Sequence, residues 1–359
     1  MKNVLGSSVT LTLFGESHQE YIGAVLDGLS AGIKVDEEFI KHMLAKRRPS
    51  SLTDTARKEE DNFKIISGVF NGYTTGSPLT IIIPNENVRS SDYDEKVIRP
   101  SHADYVSEVK YHGFADYRGG GHFSGRLTAP IVALGAICLK ALNDKGIFVG
   151  SHILKCGVVE DVPFGDIEKD VKVLDNKVIP VISKVESDIE KEILKAKENL
   201  DSIGGVIQVG IKGLPVGVGS PWFSSLEGVL ANAMFSIGGV KGIEFGKGFD
   251  FAKGYGSDNN DAFEIKGGKV VTKTNNNGGI NGGISNGMPI IFNLAVKPTP
   301  SIAKEQDSVD LEKQENVKVS VKGRHDPAII RRINAVTTCL TAIVICDELT
   351  KKFGEDYLK

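Results

Sequence analysis

Residues 203–237, "IGGVIQVGIKGLPVGVGSPWFSSLEGVLANAMFSI", repeat the logic of residues 22–44, "IGAVLDGLSAGIKVDEEFIKHML". Each begins with an apolar strand, passes through a glycine-rich turn and enters a helix. The echo suggests an internal duplication of one strand–turn–helix unit. In the first copy Asp36 is placed to cap a helix with Glu37 and Glu38 in its first turn. Phe39, Ile40, Met43 and Leu44 share a face there, and Pro49 ends the run. Residues 8–14 alternate as a strand, and 68–85, "GVFNGYTTGSPLTIIIPN", read as strands bounded by glycine and proline. Residues 127–142 and 328–350 are apolar enough for buried helices. Residues 151–186 read as strand-like and charged, and Ser187 with Glu190 predicts a capping box opening a helix over 187–199. Residues 275–301 read as a loop, a strand and a second loop. The expected class is α+β, with core helices flanked by sheets. No low-complexity linker divides the chain, which predicts one domain over residues 1–359.

Composition narrows the partners. The 359 residues carry a net charge of −3 and 40% hydrophobic residues. That balance offers no general attraction to nucleic acid or an anionic membrane, so an anionic ligand must be met by local clusters. Cys138, Cys156, Cys339 and Cys346 form no CxxC pair, and Cys339 and Cys346 are roughly 10 Å apart along one helix. Reduced thiols and a cytoplasmic protein are expected. The N-terminus lacks the apolar core of a signal peptide, and no membrane span is expected.

The arginines are segregated. Ten arginines stand against 33 lysines, and none lies between Arg126 and Arg324. Arg47, Arg48, Arg57, Arg89, Arg99, Arg118 and Arg126 occupy one stretch; Arg324, Arg331 and Arg332 occupy another. A guanidinium grips carboxylate or phosphate with two parallel hydrogen bonds, so these stretches are candidate polyanion sites. His18, His102, His112, His122 and His325 sit in or beside them. Residues 116–130, "DYRGGGHFSGRLTAP", set three glycines before an apolar helix. Backbone free of side chains, next to a helix N-terminus, predicts an anion seat.

Several chemistries are absent from the sequence. There is no GxxxxGK[ST], no dinucleotide GxGxxG between strand and helix, no HExxH and no GxSxG elbow. No metal is expected from local spacing, although a site assembled in space stays open. What remains is a phosphate-and-carboxylate pocket furnished with histidine acids and an aspartate.

Ordered blocks along nearly the whole chain then resemble the chorismate synthase family: "FGESH" (14–18), "KRRPSS…TARKEED" (46–61), "GVFNGYTTGSPL" (68–79), "RPSHADY" (99–105), "KY…DYRGGG" (110–121), "SIGGVKGIEFG" (236–246), "NNGGINGGISNGMPI" (276–290), "KPTPSI" (297–302) and "KGRHDP" (322–327). The chain departs from the usual family pattern at Gln19, Ser101, His122 and Leu127. The resemblance implies a β-α-β sandwich, usually assembled as a homotetramer. The activity it implies is conversion of 5-enolpyruvylshikimate 3-phosphate to chorismate by anti 1,4-elimination, with reduced FMN required but not consumed. NADPH or a separate flavin reductase would keep the flavin reduced. It further implies that His18 protonates the departing phosphate, that His102 serves the flavin ring, and that Asp326 with Ser17 assists removal of the ring proton. Arg47, Arg48, Arg99, Arg126 and Arg324 are the implied contacts of a phosphorylated dicarboxylate. Ser124, Gly238, Gly239, Gly279, Lys297, Pro298, Thr299, Pro300, Ser301 and Arg324 are the implied flavin contacts.

Overall fold

A computed structural model describes residues 3–49, 60–86, 95–321 and 326–359. Arg57, Arg89, Arg324 and His325 lie outside the described residues. In chain order the first part holds β1 (Val4–Leu5), β2 (Thr10–Gly15), β3 (Tyr21–Asp27), α1 (Glu37–Arg47), β4 (Lys64–Ser67), β5 (Val69–Phe70), β6 (Tyr73–Thr74), β7 (Leu79–Pro84), α2 (Asp104–Lys110) and α3 (Thr128–Asp144). There follow β8 (Phe148–Cys156), β9 (Val159–Glu160), α4 (Ile167–Leu174), α5 (Glu186–Glu198), β10 (Gly205–Lys212), α6 (Leu226–Phe235), β11 (Val240–Phe245) and α7 (Gly256–Asn259). The chain closes with β12 (Phe263–Lys266), β13 (Lys269–Thr272), β14 (Ile280–Asn281), β15 (Ile284–Ser285), β16 (Ile290–Val296), β17 (Gln306–Asp310), β18 (Glu315–Val319) and α8 (Ile330–Phe353).

Two antiparallel five-stranded sheets, ordered β1-β2-β3-β7-β4 and β11-β16-β10-β8-β9, enclose α3 and α8. Those two helices are apolar enough to cross a membrane by composition, but here they are core: α8 is buried from Ile333 through Thr350. Their axes approach closely at Gly135, where an added Cβ would stand 2.5 Å from the Cys339 backbone oxygen. All four cysteines are buried free thiols. The cap of α1 forms as expected, with the Asp36 side chain accepting from the Phe39 amide at 3.0 Å.

The likeness of the two units extends to individual bonds. In the first copy β3 pairs β7 with Ile22 opposite Ile83 and Leu26 opposite Leu79; in the second, β10 pairs β16 with Ile207 opposite Leu294 and Ile211 opposite Ile290. After β3, the Thr74 hydroxyl of the β5–β6 hairpin donates to the Ser30 carbonyl at 2.6 Å and accepts from the Ile33 amide at 2.9 Å. After β10, the Ser285 hydroxyl of the β14–β15 hairpin donates to the Pro215 carbonyl at 2.6 Å and accepts from the Val218 amide at 2.9 Å. One clasp closes the same glycine-rich turn in both halves.

The expected strand over 151–186 is corrected. Only its first part is strand, and α4 follows, because Ile167, Val171 and Leu174 recur with helical spacing. They seat on β8 and β10 where glycine leaves room: a Cβ on Gly150 would meet Val171 at 2.2 Å, and one on Gly210 would meet Ile167 at 2.8 Å. The expected capping box is also absent. Helix α5 begins at Glu186, one residue early, which puts Ser187 inside the first turn instead of at its cap.

Candidate active site

The connection between β2 and β3 is only five residues long, which fixes Ser17 and His18 at the sheet end, both buried. Against them lies the turn 118–123, in which Gly119, Gly120 and Gly121 take φ of 60°, 81° and 51°. Three consecutive left-handed residues are tolerable only without side chains. The Ser17 amide donates to the Gly121 carbonyl at 3.2 Å, and its hydroxyl lies 3.1 Å from the Arg118 carbonyl and 3.1 Å from His18 Nδ1. His122 Nδ1 lies 2.8 Å from the Gly15 carbonyl and latches the turn to the strand end. A Cβ on Gly119 would stand 2.3 Å from the His18 ring, and one on Gly120 would stand 3.3 Å from the His102 ring. The glycine turn is therefore a spacer between two histidines. It is not continuous with the helix as the anion-seat reading expects: a second short turn, Gly125–Leu127, precedes α3, and a helix dipole acts only within its first turn.

His102 is held from behind by Asp104. The His102 Nδ1 to Asp104 Oδ1 distance is 2.6 Å, and Arg99 forks onto the same carboxylate with Nε at 2.8 Å and Nη2 at 2.7 Å. Burial alone would raise the Asp104 pKa, but the bonds and charges of Arg99 and His102 outweigh it and hold the carboxyl well below its usual range. Arg99 Nη2 lies 3.1 Å from the same Nδ1, so Asp104 and Arg99 together hold that edge of the ring and leave Nε2 on the side of Gly120. Arg99 also reaches Ser301 with Nη1 at 3.4 Å, and Lys297 Nζ donates to the Ser101 carbonyl at 2.8 Å. The connection after β7 thus touches the equivalent connection after β16.

The arginine segment folds around one carboxylate. Arg47 Nη2 lies 3.1 Å from Asp61 Oδ2, and Arg126 Nη1 bonds Asp61 Oδ1. The three side chains are almost wholly buried. Burial pulls the Arg47 pKa down to about 10, Asp61 resisting and the Arg332 and Arg126 charges adding to the fall. Among the described residues, two guanidiniums share this one carboxylate, which leaves an excess of positive charge at that point. Arg126 further bonds Asn85 Oδ1 and the Pro84 carbonyl, each at 3.0 Å, and Asn85 Nδ2 donates to the Glu16 and Gln19 carbonyls that flank Ser17 and His18. That chain of bonds joins the arginine cluster to the histidines. Arg48 is more exposed and bonds Glu60. Asp326 is buried and accepts from Arg332 Nη1 at 3.0 Å, while Arg332 Nε donates to the Arg47 carbonyl.

The remaining expected contacts divide. Lys297 donates its amide to the Gly239 carbonyl, and a Cβ on Gly238 would meet nothing within 4 Å. Between Pro298 and Pro300, the Thr299 hydroxyl oxygen is buried with no hydrogen-bond partner among the described residues, whereas the Thr299 carbonyl accepts from Ser202. Burial, with the Lys241 charge, lowers the Lys297 pKa. Ser124 accepts from the Arg126 amide at 3.3 Å. Gly279 serves the base of the second hairpin, its carbonyl accepting from Asn286, as the Gly68 carbonyl accepts from Thr75 in the first half. Among the described residues, no group of three or more His, Cys, Asp or Glu side chains is arranged to hold a metal.

A sequence profile of chorismate synthase matches residues 9–350. The chain belongs to the chorismate synthase family. Chorismate synthase of Thermococcus gammatolerans is 42% identical over 349 residues, covering 97% of each chain. That of Lachnoclostridium phytofermentans is 44% identical over 363 residues, covering 99% of this chain and 97% of the relative. A solved structure titled "Crystal Structure of Chorismate Synthase" superposes with a TM-score of 0.78 at 29% identity, covering 98% of this chain and 94% of that one. The chain is accordingly a chorismate-forming lyase of the shikimate pathway, and its α+β fold is that of the family. Asp61, Asn85 and Asp104 are the groups that reading the chorismate synthase motifs passed over. Asp104, two residues after His102, was the one with a local signal.

Proposed function

We propose that the cluster around residues 118–121 converts 5-enolpyruvylshikimate 3-phosphate to chorismate and phosphate by anti 1,4-elimination, with residues 1–359 acting as one unit. The observation that carries this reading is the glycine turn held between His18 and His102, with a buried excess of positive charge joined to it through Asn85. A flavin fits the residues present: among the described residues the Thr299 hydroxyl is a buried polar atom without a partner and Gly238 faces open space, while the Lys297 amide holds Gly239 and its ammonium reaches the Ser101 carbonyl. Lys297 to Ser301, with Gly238, Gly239, Ser124 and Arg324, would hold the flavin, and we include Gly279 for its family position. The chemistry a reduced FMN held there would supply is transient electron density to the substrate as phosphate leaves, with no net redox change.

The chain's own residues then have distinct tasks. His18, steadied at Nδ1 by Ser17, donates a proton to the leaving phosphate. His102, held at Nδ1 by Asp104 and Arg99, presents Nε2 across Gly120. Asp326, held by Arg332, assists removal of the ring proton together with Ser17. Arg47, Arg48, Arg99, Arg126 and Arg324 supply the positive field for two carboxylates and a phosphate. Because Arg47, Arg99 and Arg126 already lie on carboxylates, they are pre-organised and cost little side-chain entropy when the substrate arrives.

We place this reaction in the cytoplasm, in a homotetramer, and draw the reduced flavin from NADPH or from a separate reductase. The test is anaerobic chorismate formation with dithionite-reduced FMN, repeated with NADPH and oxidised FMN. Turnover in both makes the enzyme its own flavin reductase, and turnover with dithionite alone assigns that task to a partner. No turnover in either overturns the proposal.

A further inference from the structure

Away from the histidines, α1, α3, α8, β8 and α4 enclose a cavity of about 310 Å³. Its walls are largely apolar, with Phe39, Met43, Phe148 and Val171 among them, and its size is that of a small-molecule site. Nothing in the reaction described above uses it.

Two features say what it would take. The first is an open strand edge. The Ile153 amide donates outward to the Pro180 carbonyl at 2.8 Å, away from β10, and the β8–β10 register runs unbroken from Val149 to Ile153. Strand alternation therefore turns the Val149 and Ser151 amides to that same outer side. The Ser151 carbonyl already points there, since it accepts from Asn334 Nδ2 at 3.1 Å. Strand β9 covers only Lys155 and Cys156, so the edge at Val149–Ser151 faces the cavity that both residues line. The second feature is charge. Among the described residues, Lys46, Lys172, Lys177 and Arg331 line the cavity against Glu168 and Asp175, an excess of two positive charges around an apolar interior, with Lys46 paired to Asp175 and Lys172 to Glu168.

We propose that this cavity is a binding site for a small carboxylate with an apolar body of about one ring. The carboxylate takes the β8 edge amides and the cationic rim, and the body fills the space between Phe39 and Val171. The site communicates with α1. Arg331 donates to the carbonyls of Lys46 and Arg48, and between those two residues Arg47 holds Asp61. A ligand touching Lys46 and Arg331 therefore bears on the arginine cluster, and coupling of this kind is reciprocal. The binding claim stands apart from the proposed function; only the coupling rests on it.

Titration calorimetry of the full chain with 3-phenylpropanoate, and with the neutral 3-phenylpropanamide, tests the site. The carboxylate saturates at one per chain, and the amide binds at least roughly tenfold more weakly. Val178→Trp, at a half-exposed position on the lining, removes binding while leaving the melting temperature of the free protein unchanged. Lys177→Met weakens the carboxylate and not the amide, which keeps the test alive if the tryptophan variant does not fold. Absence of saturation up to about 10 mM, equal binding of the two probes, or full binding by a folded Val178→Trp overturns the site. Binding that leaves both kcat and KM for chorismate formation unchanged overturns the coupling. A chain that binds the carboxylate yet makes no chorismate sinks the proposed function and leaves the site standing.

Discussion

The two halves of the molecule share strand register, hairpin clasp and core helix, yet they treat their Asp–His pairs in opposite ways. In the first half, the connection from β7 to α3 carries His102 and Asp104, both partly exposed and turned toward the glycine spacer. In the second half, His152 on β8 and Asp161 are wholly buried. The His152 ring is closed in by Phe164 at 4.6 Å, and its Nε2 lies 3.4 Å from Gln208. What surrounds each pair differs as well. Five residues join β2 to β3 beside Ser17 and His18, whereas the link from β8 to β10 runs through α4 and α5 and brings Phe164 against His152. One frame carries an open pair and a sealed one.

If that reading holds, the largest effect falls on the open pair. His102→Gln lowers kcat for chorismate formation by about 10²–10⁴, the usual worth of a positioned acid or base, with little change in melting temperature. His152→Gln leaves kcat per folded molecule unaltered and lowers stability instead. Equal losses of kcat in the two variants would erase the distinction.

Asp61→Asn strikes next. It leaves Arg47 and Arg126 buried together with their shared counter-charge gone, a situation that costs about 3–5 kcal/mol. Urea unfolding reads this as a lower midpoint at constant slope. A variant as stable as the parent would mean that the guanidiniums escape to water.

A smaller effect measures how equivalent the halves are. Thr74→Val and Ser285→Ala each remove one hydroxyl that closes a turn, stranding a donor and an acceptor, and each costs about 1–3 kcal/mol. Similar costs in urea confirm that the two clasps do the same work. A large disparity would show that one half has come to lean on the other.

Much of this frame is legible in the sequence because it is local. The alternation of β3, the Asp36 cap, the apolar runs of α3 and α8 and the paired strand–turn–helix units all depend on neighbours within a few residues. Helix α4 is less legible, because Ile167, Val171 and Leu174 show their period only once charged residues between them are discounted. The histidines were legible as members of clusters, but their juxtaposition was not: His18 and His102 meet through Gly119 and Gly120, which are distant in the chain from both. Asp61 was hidden for the same reason, since its two arginines lie 14 and 65 residues away. Long-range pairing of charges leaves no periodic trace, whereas a turn or a helix face does.

The smallest effect separates the pairs by pH. Burial lowers the His152 pKa from 6.5, against the partial resistance of Gln208 and Asp161, so the folded protein keeps this ring neutral where the unfolded chain already binds a proton. Stability is therefore intact above pH 6.5 and declines as pH falls below it, by at most about 1.4 kcal/mol per unit for one proton, until the folded ring itself is protonated. Asp104 behaves differently. Its lowered pKa gives stability that is present above the normal carboxylate value of 3.8 and is lost only as pH falls further. As pH falls below 6.5 the sealed pair contributes a slope, and His152→Gln should flatten that part of the urea-derived stability curve. A slope that survives His152→Gln would place the titrating group outside the sealed pair.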